Sequence, residues 1–166
     1  YFEFTYTPTD AALTPHVVTA SYVGDDVYAA GSDSFSQAVE KRACDVVMLL
    51  STTIAYINQG VTVSICVEDD STAGTPGTLS GQEVVLTTDG TGSFSDSSPT
   101  LGADGCCTVT YTPGAFEHLP TGAGATTLTA TFGTGSSVYE VSSTTEMLTV
   151  ELRPTETTVT GSSETL

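Results

Sequence analysis

The same passage occurs twice in this chain, separated by about one domain length. Residues 4–8 (FTYTP) return as residues 109–113 (VTYTP), an offset of 105 positions. Two further matched pairs follow in the same order. They are VTASY at 18–22 with LTATF at 128–132, and VEKR at 39–42 with VELR at 150–153, where the offset has grown to 111. A period of 105–111 residues indicates one whole domain per repeat, since solenoid units are much shorter.

This repeat divides the 166 residues into three predicted parts. Residues 1–43 are expected to be the C-terminal half of one unit, residues 44–153 a complete unit, and residues 154–166 the first strand of the next. The complete unit is long enough to bury a core of its own. The leading half needs other polypeptide to complete it, so we interpret the sequence as a window cut from a tandem array.

Short runs of alternating apolar and polar residues make up most of the chain. Residues 61–68 (VTVSICVE) place valine or isoleucine at every second position, and residues 108–111 and 128–132 follow the same pattern. Such alternation predicts strands with one buried face. Clusters of Gly, Pro and Asp between the runs predict turns. Since no convincing amphipathic helix is present, the pattern favours an all-β antiparallel sandwich of about seven strands per unit.

Lysine and arginine are scarce, and this sets the charge of the chain. Three basic residues against 20 acidic ones give a formal net charge of −17. Such a chain cannot neutralise phosphates, so nucleic acid and anionic membranes are excluded as partners. Cations and basic surfaces remain candidate partners. No apolar run approaches the length that spans a bilayer, so no membrane-spanning segment is expected here.

Residues with catalytic potential are few. His16 and His118 each precede one of the two matched LTATF-type strands, and neither lies in a pattern that indicates a catalytic site. We interpret both as exposed loop histidines. The sequence has no nucleophile elbow, phosphate loop or dinucleotide fingerprint. We therefore predict that the protein is not an enzyme and has no catalytic residues.

Acidic side chains cluster at predicted loop positions. Glu68, Asp69 and Asp70 are consecutive at the end of a predicted strand, and Asp25 with Asp26 lies in a predicted turn. Calcium takes six to eight oxygen ligands, and interdomain carboxylates can bind it. Glu68, Asp69 and Asp70 are therefore our calcium candidates, and no other cofactor is expected. The alternative is that the acidic residues form turns and carry solvated charge. Three further aspartates mark neighbouring loops: Asp89, Asp96 and Asp104.

Two stretches carry a characteristic order of strands and turns. Residues 84–113 (VVLTTDGTGSFSDSSPTLGADGCCTVTYTP) lead to LTATF at 128–132, and residues 18–30 read VTASYVGDDVYAA. Together these stretches resemble the Ig-like repeats of bacterial surface proteins of the invasin and intimin type. The resemblance extends over nearly all of the chain and implies immunoglobulin-like sandwiches in a cell-surface adhesin. One departure is that GTGSS at 133–137 replaces VGDDV at 23–27, so the acidic pair is not kept.

All four cysteines fall in the predicted complete unit: Cys44, Cys66, Cys106 and Cys107. Their spacing lacks paired C-x-x-C knuckles, which argues against zinc, and their even number suggests two disulfides in an extracellular domain. Three connectivities are open, of which a Cys106–Cys107 bridge would be strained. In the topology that the resemblance implies, the second and fifth strands are neighbours, so we hypothesise Cys66–Cys106 and Cys44–Cys107 bridges. The alternative is buried reduced thiols in an intracellular protein.

These features predict a structural protein outside the cell or on its surface. The chain is expected to be a segment of a stalk or filament in which disulfide-stabilised Ig-like units pack end to end, because VEKR at 39–42 is followed by no Gly/Ser spacer. Its expected partners are neighbouring units of the same protein and other copies in a filament.

Two alternative functions use other parts of the sequence. The first is an adhesin module that binds glycan or a host protein through its loops, with no binding residues assigned beyond four candidate aromatics. These are Tyr28, Phe94, Phe116 and Tyr139. The second is a filament subunit, in which residues 154–166 of one chain complete residues 1–43 of the next by strand exchange.

Overall fold

The computed structural model describes residues 3–161, apart from residues 10, 12, 13, 73, 75 and 116–122. Every regular element in this part of the chain is a β-strand. The strands are β1 (His16–Tyr22), β2 (Gly31–Gln37), β3 (Cys44–Leu50), β4 (Ile54–Tyr56), β5 (Val61–Asp69), β6 (Val84–Thr88), β7 (Ser93–Phe94), β8 (Cys106–Thr112), β9 (Ala123–Phe132) and β10 (Ser142–Glu151). They are rich in Thr and Val, whose branched side chains fit a pleated, half-buried surface.

Strands β3 to β10 form two four-stranded sheets around one core. The strand order is β3-β5-β8-β7 in one sheet and β4-β10-β9-β6 in the other. Lettered along the chain, these are the ABED and A′GFC sheets of an immunoglobulin-like sandwich whose first strand is divided between the two sheets. The predicted all-β, Ig-like fold is therefore confirmed. One pairing departs from a purely antiparallel sandwich, because β4 lies parallel to β10.

The core consists of the inward-facing positions of the alternating runs. The four apolar residues of β5 are at most 2% exposed, whereas the residues between them are not buried. All buried core residues among those described lie between Val46 and Val150. Burial of each large apolar side chain is worth about 1.5–3 kcal/mol. The stability of the described chain therefore comes mainly from this sandwich.

The β1–β2 hairpin forms a separate two-stranded sheet whose register matches that of β9 and β10. Val18 lies opposite Phe35 in the first hairpin, and Leu128 lies opposite Glu146 in the second. These pairs are related by offsets of 110 and 111, and the same offsets relate the rest of the shorter ladder to the longer one. Positions that match in sequence therefore also match in strand pairing.

An apolar groove of about 350 Å³ lies on one face of the β1–β2 hairpin. Its apolar lining comes from five residues, Phe4, Tyr6, Val18, Ala20 and Phe35. In the second copy, the counterparts of the first four are all buried in the core: Val109, Tyr111, Leu128 and Ala130. The hairpin thus exposes a surface that the equivalent residues of the sandwich bury.

Within the described residues, no helix is long and apolar enough to cross a membrane.

Candidate functional site

The linker between β2 and β3 is bonded to the sandwich through its backbone. The Arg42 N–H donates to the Val138 carbonyl at 2.7 Å, and the Glu140 N–H donates to the Arg42 carbonyl at 2.9 Å, which makes a parallel bridge with the loop between β9 and β10. The Ala11 N–H donates to the Ser137 carbonyl of the same loop at 2.8 Å. Two backbone bonds of Arg42 therefore hold the linker against this loop, and a third bond joins the same loop to Ala11, in the segment before β1.

The Arg42 side chain forms a two-pronged ion pair with Asp69, at the end of β5. Its Nε donates to Asp69 Oδ2 at 2.6 Å and its Nη2 to Asp69 Oδ1 at 3.1 Å. Nη2 also donates to the Ser71 carbonyl at 3.3 Å. The two charged side chains are only 16% and 7% exposed. A two-pronged arginine–carboxylate pair fixes orientation as well as distance, so it sets how the linker meets the sandwich.

Tyr139 completes this site from the β9–β10 loop. Its hydroxyl lies 3.2 Å from Asp69 Oδ2 and 2.9 Å from the Gly77 carbonyl, both of which accept hydrogen bonds from it. Its ring is buried and packs at a tilt against Phe132, with the ring centroids 5.6 Å apart. We refer to Arg42, Asp69 and Tyr139 as the junction cluster. The cluster joins the linker, β5 and the last hairpin of the sandwich.

The electrostatics of the junction cluster favour one charge state. The hydrogen bond from Arg42 holds the pKa of Asp69 below its ordinary value, with further help from the Ser71 N–H and the Tyr139 hydroxyl, while burial acts in the opposite direction. Burial, followed by the negative charge of Asp69, raises the pKa of Tyr139. An anionic carboxylate between a cation and a neutral phenol is a self-consistent arrangement. The interactions of the junction cluster hold the linker, β5 and the β9–β10 hairpin together.

The sequence does not mark Arg42 as a site residue, although one signal points to it. The three basic residues of the chain all lie in the matched segments VEKR and VELR. The partnership of Arg42 with Asp69, which lies 27 positions further along, is a tertiary contact that spacing does not reveal.

The structure does not gather the calcium candidates Glu68, Asp69 and Asp70 into a ligand set. Asp69 uses both carboxylate oxygens to bind Arg42, and Glu68 is exposed on the opposite face of the same strand. Among the residues described, no three His, Cys, Asp or Glu side chains are grouped so that they could hold a metal ion. Calcium binding at these residues stays a prediction without support from the geometry.

The acidic residues Asp89, Asp96 and Asp104 act as hydrogen-bond acceptors within the sandwich. Asp96 and Asp104 each accept a backbone N–H from two residues further on, at 2.9 and 3.1 Å. Asp89 accepts the Thr127 N–H at 2.7 Å and the hydroxyl of the buried Thr126 at 3.0 Å. The contacts of Asp96 and Asp104 are those of turn-forming aspartates, the alternative interpretation of the acidic residues, whereas Asp89 binds to β9.

Asp25 has a structural counterpart that the sequence comparison does not identify. Asp25 Oδ1 accepts the N–H groups of Val27 and Tyr28 at 2.9 and 2.8 Å. In the second copy, Ser136 Oγ accepts the N–H groups two and three residues on, at 3.2 and 3.0 Å. The offset between the two acceptors is 111, so the second loop has one extra residue between Phe132 and Ser136. The turn is kept while the acidic side chain that forms it is replaced by a hydroxyl.

Cys66 and Cys106 form a disulfide on one face of the β3-β5-β8-β7 sheet. They lie directly opposite each other on β5 and β8, with their Cα atoms 4.1 Å apart. This is the pairing expected between the second and fifth strands of an Ig-like sandwich. The bridge closes a loop between two strands that are already neighbours.

The hypothesised Cys44–Cys107 bridge is not formed, and both thiols are free. Strand β5 lies between β3 and β8, with Cys44 opposite Asp69 and Cys107 opposite Ile65. Four residues of strand correspond to about 13 Å along β5, which exceeds the roughly 7 Å that a disulfide can span between Cα atoms. Burial raises the pKa of both thiols, more than the nearby carboxylates do.

The candidate binding aromatics do not form one exposed surface. Tyr139 is buried in the junction cluster, and Phe94 packs against Tyr111 in the sandwich, with ring centroids 4.9 Å apart. Tyr28 is 67% exposed on the β1–β2 loop. Phe116 lies outside the described residues.

The two histidines are placed as follows. His16 begins β1, and its Nδ1 lies 2.6 Å from the hydroxyl of Tyr6. His118 lies outside the described residues. The prediction of an exposed loop histidine is therefore wrong for His16, which is a half-buried strand residue in contact with Tyr6.

No family model matches the sequence, and no curated protein is similar to it. Several solved structures are similar in fold. The D00-D0 domain of intimin has a TM-score of 0.45 at 15% identity over 80% of this chain, and the D0-D1 domain of intimin has 0.44 at 14% identity over 89% of this chain and 86% of its own. Domains 4 and 5 of the S-layer protein SbsC have a TM-score of 0.37 at 17% identity, over 83% of this chain and 58% of theirs. This chain covers 64% of the intimin D00-D0 structure.

Proposed function

We propose that this chain is a structural segment of a secreted or cell-surface stalk or filament, in which Ig-like units pack end to end. The observation that carries the proposal is the junction cluster. The linker has no flexible spacer, its backbone bridges the β9–β10 loop, and Arg42 binds Asp69 through two hydrogen bonds. A linker held in this way transmits force and orientation from one segment to the next.

The division into units at 1–43, 44–153 and 154–166 is part of this proposal. Two observations support this division. The two hairpins have matching registers, and Asp25 and Ser136 accept the same backbone hydrogen bonds in the loops of these hairpins. A repeat that keeps strand pairing and turns while it changes the side chains that form them has the character of a scaffold.

An extracellular or cell-surface location is the environment that suits this function. A Cys66–Cys106 disulfide persists in an oxidising compartment. The net charge of −17 keeps such units soluble and apart.

The experiment that tests the proposal measures whether the junction is rigid. We expect residual dipolar couplings of the β1–β2 hairpin and of the sandwich to fit one common alignment tensor in the full chain. Arg42→Ala should give two separate tensors, because it removes the ion pair with Asp69. Lys41→Ala is the matched control, since it removes an adjacent, exposed positive charge and should keep the single tensor. Two tensors in the unmodified chain would reject a rigid junction.

A further inference from the structure

The basic residues of this chain are confined to one repeat position and its neighbour. Lys41 and Arg42 belong to VEKR, Arg153 belongs to VELR, and these are the only three basic residues among 166. Both arginines therefore occupy the same place in the repeat. In a chain with 20 acidic residues, that restriction calls for a specific role.

The two arginines also follow strands that have matching registers. Phe35 and Glu146 are matched positions in the two hairpins, opposite Val18 and Leu128. Arg42 follows Phe35 by seven residues, and Arg153 follows Glu146 by seven residues. The hairpins share a register over the whole of the shorter ladder, although β2 ends at Gln37 and β10 continues to Glu151. The two arginines therefore lie at the same distance beyond matched residues of the two hairpins.

We propose that Arg153 forms the next junction, in the same way that Arg42 forms the one described here. This inference rests on the proposed tandem function and names the partner: a following Ig-like unit with the chemistry of residues 44–153. The partner must present an aspartate at the position of Asp69 and a tyrosine at that of Tyr139. The backbone around Arg153 bridges the last hairpin loop of that unit, and its guanidinium binds the aspartate.

The present contacts of Arg153 leave it ready for this exchange. Its Nε donates to the Ile57 carbonyl at 3.3 Å in an exposed contact, and the preceding Leu152 is 51% exposed. A two-pronged bond to a carboxylate is shorter and stronger than one long bond to a neutral carbonyl. Docking therefore replaces a weak hydrogen bond with a strong ion pair. It would also bury the Arg153 side chain, as docking leaves the Arg42 side chain only 16% exposed.

The test is a fusion in which residues 154–166 are replaced by a second copy of residues 43–153. Trypsin cleaves after lysine and arginine, so the joint after Arg153 and the linker after Arg42 give fragments of different mass. We expect slow cleavage at the joint, because a docked arginine cannot enter the protease. Asp69→Asn in the second copy should speed cleavage at the joint alone by about tenfold, since cleavage follows the population of the open form. Asp70→Asn in the second copy is the control and should have no effect.

Denaturant unfolding of the same fusion separates two kinds of failure. If both units unfold cooperatively but the joint is cut equally fast in all three proteins, Arg153 does not dock and the inference is overturned, while the tandem function stands. If the second copy does not fold in the fusion, the units are not equivalent modules, and the inference and the tandem function are both overturned.

Discussion

At the scale of single residues, Tyr139 makes two kinds of contact, packing by its ring and hydrogen bonding by its hydroxyl, and removal of the hydroxyl oxygen distinguishes them. Its ring belongs to the core beside Phe132, whereas its hydroxyl reaches Asp69 and the Gly77 carbonyl. Tyr139→Phe should therefore lower the free energy of unfolding by about 1 kcal/mol, because it removes the hydrogen bonds and keeps the packing. Denaturant titration measures this loss. Tyr28→Phe, the matched change at the exposed counterpart, should leave stability unchanged, and an equal loss in both variants would contradict the assignment.

The junction cluster should also respond to acid, because the pKa of Asp69 is lowered by its bond to Arg42. A carboxyl whose folded pKa is lowered contributes stability above its unfolded pKa, near 3.9, and loses that contribution as pH falls through the lowered folded value. The unfolding free energy of the unmodified chain should exceed that of Asp69→Asn at pH 7, and the gap should close below about pH 4. Denaturant titrations of both proteins across this range provide the measurement. If the difference in unfolding free energy grew as the pH fell, the lowered pKa of Asp69 would be contradicted.

At the scale of elements, the disulfide ties β5 to β8 across a sequence separation of 40 residues. A bridge closing such a loop contributes about 2–4 kcal/mol, mainly by restricting the unfolded chain. The double variant Cys66→Ser with Cys106→Ser should lose that amount in denaturant titration, and a reducing agent should produce the same loss in the unmodified chain. Cys44→Ser with Cys107→Ser should remain sensitive to the reducing agent. An unmodified chain that ignores the reducing agent would contradict the pairing.

Much of the fold could be predicted from local pattern. The alternation at 61–68 predicts β5 and its buried face, because burial on one side of a strand has a period of two. The parallel pairing of Ile54–Tyr56 with β10 could not be predicted, since those three residues carry no pattern that names a partner strand. Tertiary order decides such pairings.

The same limit explains the errors at the cysteines and in the site. Alternation predicts which face of a strand a cysteine occupies, but it does not state how far apart two strands lie. The pattern could therefore not reveal that β5 separates Cys44 from Cys107, which keeps the hypothesised bridge between them from forming. Arg42 and Asp69 belong to different elements, so only the folded chain brings them together.

At the scale of the whole molecule, the acidic net charge is related to the positions of the few basic residues in the repeat. In the proposed stalk, units with this excess of acid repel one another, and the repulsion keeps them extended and soluble. At the junction cluster the linker approaches the sandwich, and Arg42 supplies a positive charge there to the carboxylate of Asp69. One of the three basic residues of the chain thus lies where the linker meets the acidic end of β5.

If the two copies are interchangeable halves, a whole unit can be assembled from them. Residues 44–105 joined to residues 1–43, with Cys44→Ser and Cys66→Ser, place Tyr6 and Val18 at the positions of the buried Tyr111 and Leu128. We expect this chimera to unfold cooperatively and to protect the β1–β2 amides from hydrogen exchange.

Val18→Asp provides the contrast that ties such a result to the core. In the chimera it puts a charge at the position of Leu128, which is fully buried in the sandwich, so it should prevent folding. In the present chain Val18 lines an open groove, and the same change should leave the unfolding of the sandwich unaltered. A chimera that stays unfolded in circular dichroism, with or without the aspartate, would show that the matched passages share a strand pattern but cannot form the same core. A chimera that folds only with valine would show that residues 1–43 can replace the C-terminal half of the unit formed by residues 44–153.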